Sequence, residues 1–558
     1  MRNTTSISFI FFVSVLISLG QSQIPPDLQL QINTLVDEFI NFHNIPGLGL
    51  SLIKGDGEIL YNQGYGFRDI ENQINADDAT IFAIGSISKS FTATVIVRSL
   101  SEQFHNLGEI VLDIPIRQLA PSYNFTLGDR YRSESITFRD LLSHRVCILP
   151  ESMGIFVDPF GSAENFLYRQ RYAPQVCQFR GGYVYNNAMV ALASNIIGHL
   201  ANSTFDVILA KLFTDIGMND STVVRQSDDH NNMSNRSVPY YQMDGQLHRF
   251  NPELLKPVSM AIGSGGILTS ARDMAKYMQF HLNQGKVGSD QIVNPEAMQW
   301  LYRASNLNVW GSFRTENAAS FLDLTYSYGL GLDLGVYDGW QTIYHGGFLP
   351  PYESFMTLAP GLKLGIFTTF SGPGSTQETE YHQQRLHAKI FDAVLGVNRS
   401  DSFPNTRSIS PRFNDATILT KSKVEKKPKL GNTIKIEPGD LVGNFGSGQS
   451  GQIVGSLRLN DSGVLQPYLS YGVWGQAWLI QVSNTTFLAD WDSDVVQVFA
   501  TGTVPPDFQL FVEFWDVDTF GLVTGGAQMG TDFVRNVTLD QLPVVPYLPD
   551  SCGLTNFN

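Results

Sequence analysis

Cysteine, positive charge and long apolar runs are all scarce in this chain, and each scarcity excludes something. Its 558 residues hold 3 cysteines, Cys147, Cys177 and Cys552, too few for a disulfide-dense scaffold. An oxidising compartment would permit one bridge with one thiol left over. The expected pair is Cys147 with Cys177, the closer two in sequence, against the alternative of three unpaired thiols; Cys552 could then pair with another chain. Closing that loop is worth on the order of 3–4 kcal/mol in the chain-entropy model. Lysine and arginine total 37 against 52 acidic residues, a formal charge of −15, which lacks the basic footprint that nucleic acid requires. After the first twenty-odd residues no stretch could span a bilayer. No zinc spacing occurs, "DDH" at 228–230 reads as loop surface, and "DWDSD" at 490–494 lacks the glycine and final glutamate of a calcium loop. No metal and no cofactor are therefore expected.

What is present suits a globular protein of two to four domains, with 43% hydrophobic and 12% aromatic residues. The start pairs Arg2 with the apolar run "ISFIFFVSVLISLG" and the small residues Ser18, Gly20 and Ser22. That pattern predicts a signal peptide over 1–22, cleaved to leave a secreted chain with no membrane attachment, against the alternative of an uncleaved anchor. Acceptor sequons follow at Asn124, Asn202, Asn219, Asn232, Asn235, Asn398, Asn460, Asn484 and Asn536, a density expected of a glycosylated extracellular protein.

"LGLSLIK" and "EILYNQGYGF" alternate on either side of a "GDG" turn and read as a β-hairpin. From Ser86 the apolar period becomes helical, with Ile87, Phe91, Val95, Ile96 and Leu100. Further helices are expected in "ITFRDLLSH", "NNAMVALASNIIGHLA" and "SARDMAKYMQFHL", then strands in "ESFMTLA" and "KLGIFTTFS", and a closing helix in "HQQRLHAKIFDAVLG". Strands, then helices, then strands predict a sheet built from both ends of a domain over 23–400, with a helical insertion between. Residues 401–433, ending in "KSKVEKKPKL", read as a solvated linker rather than a binding patch. Over 434–558, short strand candidates from "SLRLN" through "VVQVFATG" to "FQLFVEFW" predict a small β-barrel or sandwich.

The pattern S-x-x-K occurs twice, and geometry separates the two. Ser51 and Lys54 share a predicted strand, where residues three apart face opposite ways. Ser86 and Lys89 open a predicted helix, where i and i+3 share a face. A serine hydroxyl is a weak nucleophile unless a neighbouring base takes its proton, and lysine can serve if burial lowers its pKa. "YVYNNAMV" adds Tyr185 and Asn187, and "YHGGFLPPYESF" adds His345, Gly347 and Phe348. Singly, Tyr185 would be a core tyrosine, Asn187 an N-cap and His345 a turn residue; their common order is less ordinary.

Taken with "IPGLGLSLIKGDGEILYNQGYGFRD", "IFAIGSISKSFTA", "ITFRDLLSH" and "AIGSGGILTSARDMAKY", these blocks resemble the serine β-lactamase and penicillin-recognising D-alanyl-D-alanine peptidase superfamily, in particular its class C-like, esterase-containing branch, across most of 35–395. The resemblance implies an α/β (α+β) fold, an antiparallel sheet flanked by helices with a helical subdomain, and a C-terminal lipocalin-like barrel. It implies that Ser86 is acylated, that Lys89 and Tyr185 jointly move its proton, and that Asn187 holds the substrate amide. It further implies that His345 stands where many relatives have lysine, that Gly347 opens the strand edge, and that the Ser86 and Phe348 N–H groups form an oxyanion hole. One departure stands out: relatives usually continue "LLSH" with Thr-Ser-Gly-Leu, whereas this chain has Arg145, Val146 and Cys147, which would strain or narrow the pocket.

The function expected is that of a secreted serine hydrolase taking a small-molecule or peptide amide or ester. A second reading is a non-enzymatic extracellular matrix component that keeps the fold, similar to gigasin-like shell-matrix proteins.

Overall fold

Leu48, Leu50 and Leu52 alternate with Gly49 and Ser51 along strand β1 (Gly47–Lys54), yet residues of both parities are buried, because both faces of its sheet are covered. The computed structural model describes residues 24–397, 435–492 and 509–538, apart from 55–57, 152–153, 244, 308–323, 375–376 and 525–526. The expected signal peptide, the 401–433 linker, the strand candidate "VVQVFATG", Asn398 and Cys552 lie outside the described residues.

β1 pairs antiparallel with β2 (Glu58–Asp69), the expected hairpin, and β2 with the short β3 (Ile74–Asn75). The other five strands come from far along the chain: β4 (Leu324–Tyr328), β5 (Asp333–Tyr337), β6 (Trp340–Leu349), β7 (Tyr352–Ala359) and β8 (Leu364–Phe370). Their order is β4-β5-β6-β7-β8-β1-β2-β3. β1 joins β8 with Leu48 opposite Phe370 and Leu52 opposite Ile366, so the two ends of this region close one sheet. The principal helices are α1 (Pro26–His43), α2 (Ser88–Gln103), α3 (Phe138–Leu142), α4 (Asn187–Leu200), α5 (Ala271–Leu282) and α6 (Gln377–Leu395). Ile32, Val36 and Phe39 of α1 and Leu386 and Ile390 of α6 share one core with Leu48, Leu50 and Leu52. α5 packs on the sheet's other side, and Ser51 on β1 hydrogen-bonds the Ala271 carbonyl there. α2 is buried nearly all round, as a central helix must be when a helical region wraps it.

The last eight strands close a barrel: β9 (Gly443–Ser447), β10 (Gly451–Leu459), β11 (Leu465–Tyr471), β12 (Gly475–Gln481), β13 (Thr486–Trp491), β14 (Leu510–Asp516), β15 (Thr519–Thr524) and β16 (Ala527–Arg535). Phe445 opposite Arg535 makes the closure. Its interior is filled by Phe445, Tyr471, Phe487, Phe514, Phe520 and Phe533, and Val157 from the first region belongs to the same cluster. Around that residue, the N–H of Val473 donates to the Val157 carbonyl at 2.8 Å, Arg169 Nη1 to the Gly448 carbonyl at 2.9 Å, and Gln449 Nε2 to the Leu149 carbonyl at 2.7 Å. Ser450 Oγ donates to Glu151 Oε2 at 2.6 Å.

The sequons differ in their surroundings. At Asn235 the side-chain amide donates to the Ala79 carbonyl at 2.6 Å and Ser237 is fully buried, so the nitrogen a glycan would need is engaged in the folded chain.

Candidate active site

Ser86 lies in a one-turn 3-10 helix, Gly85–Ile87, that leads directly into α2. Two glycines press this turn against β6. Gly85 has φ +48, and a Cβ there would fall 2.6 Å from the backbone N and C of Phe348. A Cβ on Gly347 would fall 2.0 Å from the Ile84 carbonyl oxygen. Neither position admits a side chain, so turn and strand meet backbone to backbone. Gly347 therefore serves close approach. The strand edge is opened differently: β5 ends its pairing at Asp333 opposite Tyr344, leaving one edge of 345–349 without a strand partner among the described residues.

Lys89, one turn beyond Ser86, is fully buried. Its Nζ lies 2.8 Å from Ser86 Oγ and donates to the Ser264 carbonyl at 2.7 Å. A hydroxyl and a carbonyl carry no charge to offset desolvation, and burial holds the amine well below its usual pKa. Tyr185 donates its hydroxyl to the same Ser86 Oγ at 2.6 Å, and its ring centre lies 4.6 Å from Lys89 Nζ. Burial pushes the phenol upward, opposed by its bond to Ser86, so it is protonated at neutral pH. Ser86, half-buried, thus meets an amine poised to be neutral and a phenol that keeps its proton.

The neighbouring residues sort themselves by burial. Asn186, not Asn187, caps α4: its Oδ1 accepts the N–H groups of Ala188 and Met189. Asn187, the first helical residue, is half-exposed beside Tyr185. His345 is buried on β6; its Nδ1 bonds the Gly346 carbonyl, so Nδ1 carries the proton and Nε2 accepts from the Tyr328 hydroxyl at 2.9 Å. Burial, with Lys89 nearby, lowers its pKa to about 3. The imidazole is neutral, unlike the lysine that many relatives are expected to carry at this position.

Cys147 and Cys177 are joined, with Cα atoms 5.0 Å apart. Cys147 stands where the resembling pattern has glycine, and it holds φ +61, a glycine-like conformation. Around it, Arg145 and Arg180 both pair with the fully buried carboxylate of Asp140, which also caps α3 through Thr137. The loop keeps its left-handed shape under side-chain and disulfide restraint.

Ser264 and Tyr328 were not singled out by motif, although each orients a predicted site residue. Ser264 lies in the "AIGSGG" block, but its contribution is a carbonyl 175 positions from Lys89, which residue type does not reveal. Tyr328 has no sequence signal beyond its place before "GLGL".

The protein-family model Beta-lactamase matches residues 32–389. Over 368 residues the chain is 25% identical to the unguisins hydrolase of Aspergillus campestris, covering 65% of this chain and 65% of that protein, so the chain spans just under two thirds of this relative's length. Among solved structures, an octameric penicillin-binding protein homologue from Pyrococcus abyssi aligns with a TM-score of 0.54 at 18% identity, over 91% of this chain and 100% of its own. D-amino acid amidase from Ochrobactrum anthropi SV3 aligns with a TM-score of 0.53 at 20% identity, over 66% of this chain and 99% of its own. These structures share the fold, and the match along 32–389 makes the chain a member of the Beta-lactamase family.

Proposed function

We propose that this protein is a secreted serine hydrolase that cleaves an amide or ester through an acyl-enzyme on Ser86. The observation that carries the reading is the convergence of Lys89 Nζ and the Tyr185 hydroxyl on Ser86 Oγ, at 2.8 and 2.6 Å. The neutral amine of Lys89 accepts the Ser86 proton as Oγ bonds the substrate carbonyl carbon. Negative charge then develops on the carbonyl oxygen, which the N–H groups of Ser86 and Phe348 receive; the glycine-mediated contact between turn and strand supports that pairing. Lys89 and Tyr185 return a proton to the departing nitrogen or oxygen, and water releases the acyl group by the reverse path. Asn187 holds the substrate amide from the rim.

The names of two similar proteins, an unguisins hydrolase and a D-amino acid amidase, support a peptide-like or small amide substrate. Secretion is supported by the signal-like start, the sequons and the Cys147–Cys177 bridge, which an oxidising compartment sustains.

The test is intact-mass labelling of the purified protein with a fluorophosphonate and, separately, with a penicillin. One adduct per chain on wild type, absent from Ser86→Ala and slowed in Lys89→Ala, is the expected outcome. No adduct from either reagent on folded wild type would overturn the reading and leave the fold as an extracellular binding module.

A further inference from the structure

Tyr185 belongs to neither a helix nor a strand; residues 183–186 are irregular, and α4 begins only at Asn187. Its hydroxyl nevertheless meets Ser86 Oγ at 2.6 Å, so something must fix this stretch of backbone. Both neighbouring N–H groups end on one residue. The carbonyl of His144 accepts the Val184 N–H at 2.8 Å, and the Nδ1 of His144 accepts the Asn186 N–H at 3.2 Å. The imidazole also packs on the Tyr185 ring, with centroids 4.4 Å apart.

We infer that His144 is the positioning residue of Tyr185: it brackets the tyrosine by taking the N–H groups on both sides and supporting its ring. This inference rests on the hydrolase reading for its importance, but the bracket itself is a statement about two hydrogen bonds, one to the His144 carbonyl and one to its imidazole.

Three features favour a specific role over ordinary core packing. His144 has φ +59, where a side chain other than glycine or asparagine is disfavoured, so the residue is retained at a conformational cost. With Nδ1 accepting, Nε2 must carry the proton, and this buried N–H has no hydrogen-bond partner among the described residues. An apolar ring would avoid that orphan, whereas only a residue with an acceptor at the Nδ1 position can hold Asn186. Burial and the nearby Lys89 and His345 also keep the imidazole neutral, as an accepting Nδ1 requires. The bracket sits three residues before Cys147, so the disulfide-held loop and the catalytic tyrosine are tied through His144.

The experiment compares His144→Asn with His144→Phe. Asparagine places Oδ1 near the Nδ1 position and tolerates left-handed backbone; phenylalanine keeps a ring against Tyr185 but removes the acceptor. In His144→Phe, the limiting rate of fluorophosphonate labelling should fall on the order of 10²-fold, as a misplaced catalytic group commonly costs, with the reagent's half-saturation concentration unchanged. His144→Asn should recover most of that rate. Independently of labelling, hydrogen exchange followed by mass spectrometry should show protection at the 186 amide lost in His144→Phe and kept in His144→Asn, while the 184 amide, bonded to the main-chain carbonyl that every variant retains, stays protected in both. Wild-type labelling with exchange unchanged in His144→Phe would overturn the inference, as would equal losses in both variants. If wild type takes no label, the hydrolase reading fails, and the exchange comparison alone upholds or overturns the bracket.

Discussion

The two regions of this molecule use antiparallel β-structure in opposite ways. The barrel interior is apolar and aromatic, filled by Phe445, Phe487, Phe514, Phe520 and Phe533 around Tyr471. The first region buries Lys89, His144 and His345 around Ser86 and Tyr185. Desolvating such groups opposes folding unless they are paired, so their concentration beside Ser86 fits the proposed site. In the barrel, the buried polar residues among those described are Ser447, Gln449 and Ser450, all at the turn that docks on the first region. Among the described residues the barrel's polar burial is confined to the joint, whereas that of the first region extends beyond the Ser86 turn to residues such as Asp273, His281 and His387. A barrel filled by its own rings has the construction of a docked module rather than a carrier of a ligand.

The sharpest way to break this contrast is to replace the buried amine. Lys89→Met should lower the rate of Ser86 acylation by about 10²–10⁴-fold, measured by fluorophosphonate labelling, while raising the melting temperature at neutral pH. The sign follows from burial. The folded pKa of Lys89 lies well below the unfolded 10.5, so between the two the unfolded chain binds more protons and the wild type gains stability as pH rises. The variant's thermal advantage should shrink as pH climbs towards 10.5, and acylation by the wild type should rise with pH through the depressed Lys89 pKa. An advantage independent of pH would sink the account of a desolvated lysine.

Next in size is the converse substitution. Phe514→Ala removes a ring from a packed apolar core and should cost about 3–5 kcal/mol of barrel stability, read by denaturant unfolding. Fluorophosphonate labelling by the folded protein should be little changed, since the site lies in the other region. The Cys147–Cys177 bridge spans 30 residues, and removing it with Cys147→Ser/Cys177→Ser should cost about 3 kcal/mol. Replacing that serine at 147 by glycine should restore about 1 kcal/mol, because glycine accepts the left-handed backbone there. Serine and glycine of equal stability would show that the loop had relaxed out of its φ. Val157→Ser, finally, leaves both regions folded and weakens only the joint. Its expected signature is separation of one calorimetric transition into two.

Short-range physics made much of this readable in advance. Period-two alternation in "LGLSLIK" marked β1 and disqualified Ser51 with Lys54, whose strand indeed places them on opposite faces. Helical spacing after Ser86 put Lys89 one turn on, and the two make the contact that spacing required. The alternating segments after residue 443 became barrel strands wherever they are described. The cap of α4 was harder: "YNN" offers two asparagines, and only the chain path, which turns helical at Asn187, assigns the cap to Asn186. Gly347 was expected to open the strand edge to substrate; what it admits is close approach to the Ile84 carbonyl, which lies far away in sequence.

Periodicity, turn chemistry and residue type are local, so the sequence by itself determined most element types, the placing of lysine one turn beyond serine and the change from a mixed first region to an all-β second one. Tertiary structure alone decided what those groups meet. The Ser264 carbonyl on Lys89, Tyr328 on His345, His144 on either side of Tyr185 and Val157 in the barrel core are contacts between distant segments. Such contacts depend on backbone atoms every residue possesses, on packing that many side chains could satisfy, or on single side-chain hydrogen bonds, as at His144 and Tyr328, whose partners lie outside the local pattern. A pKa displaced by burial exists only once the chain has closed around the group.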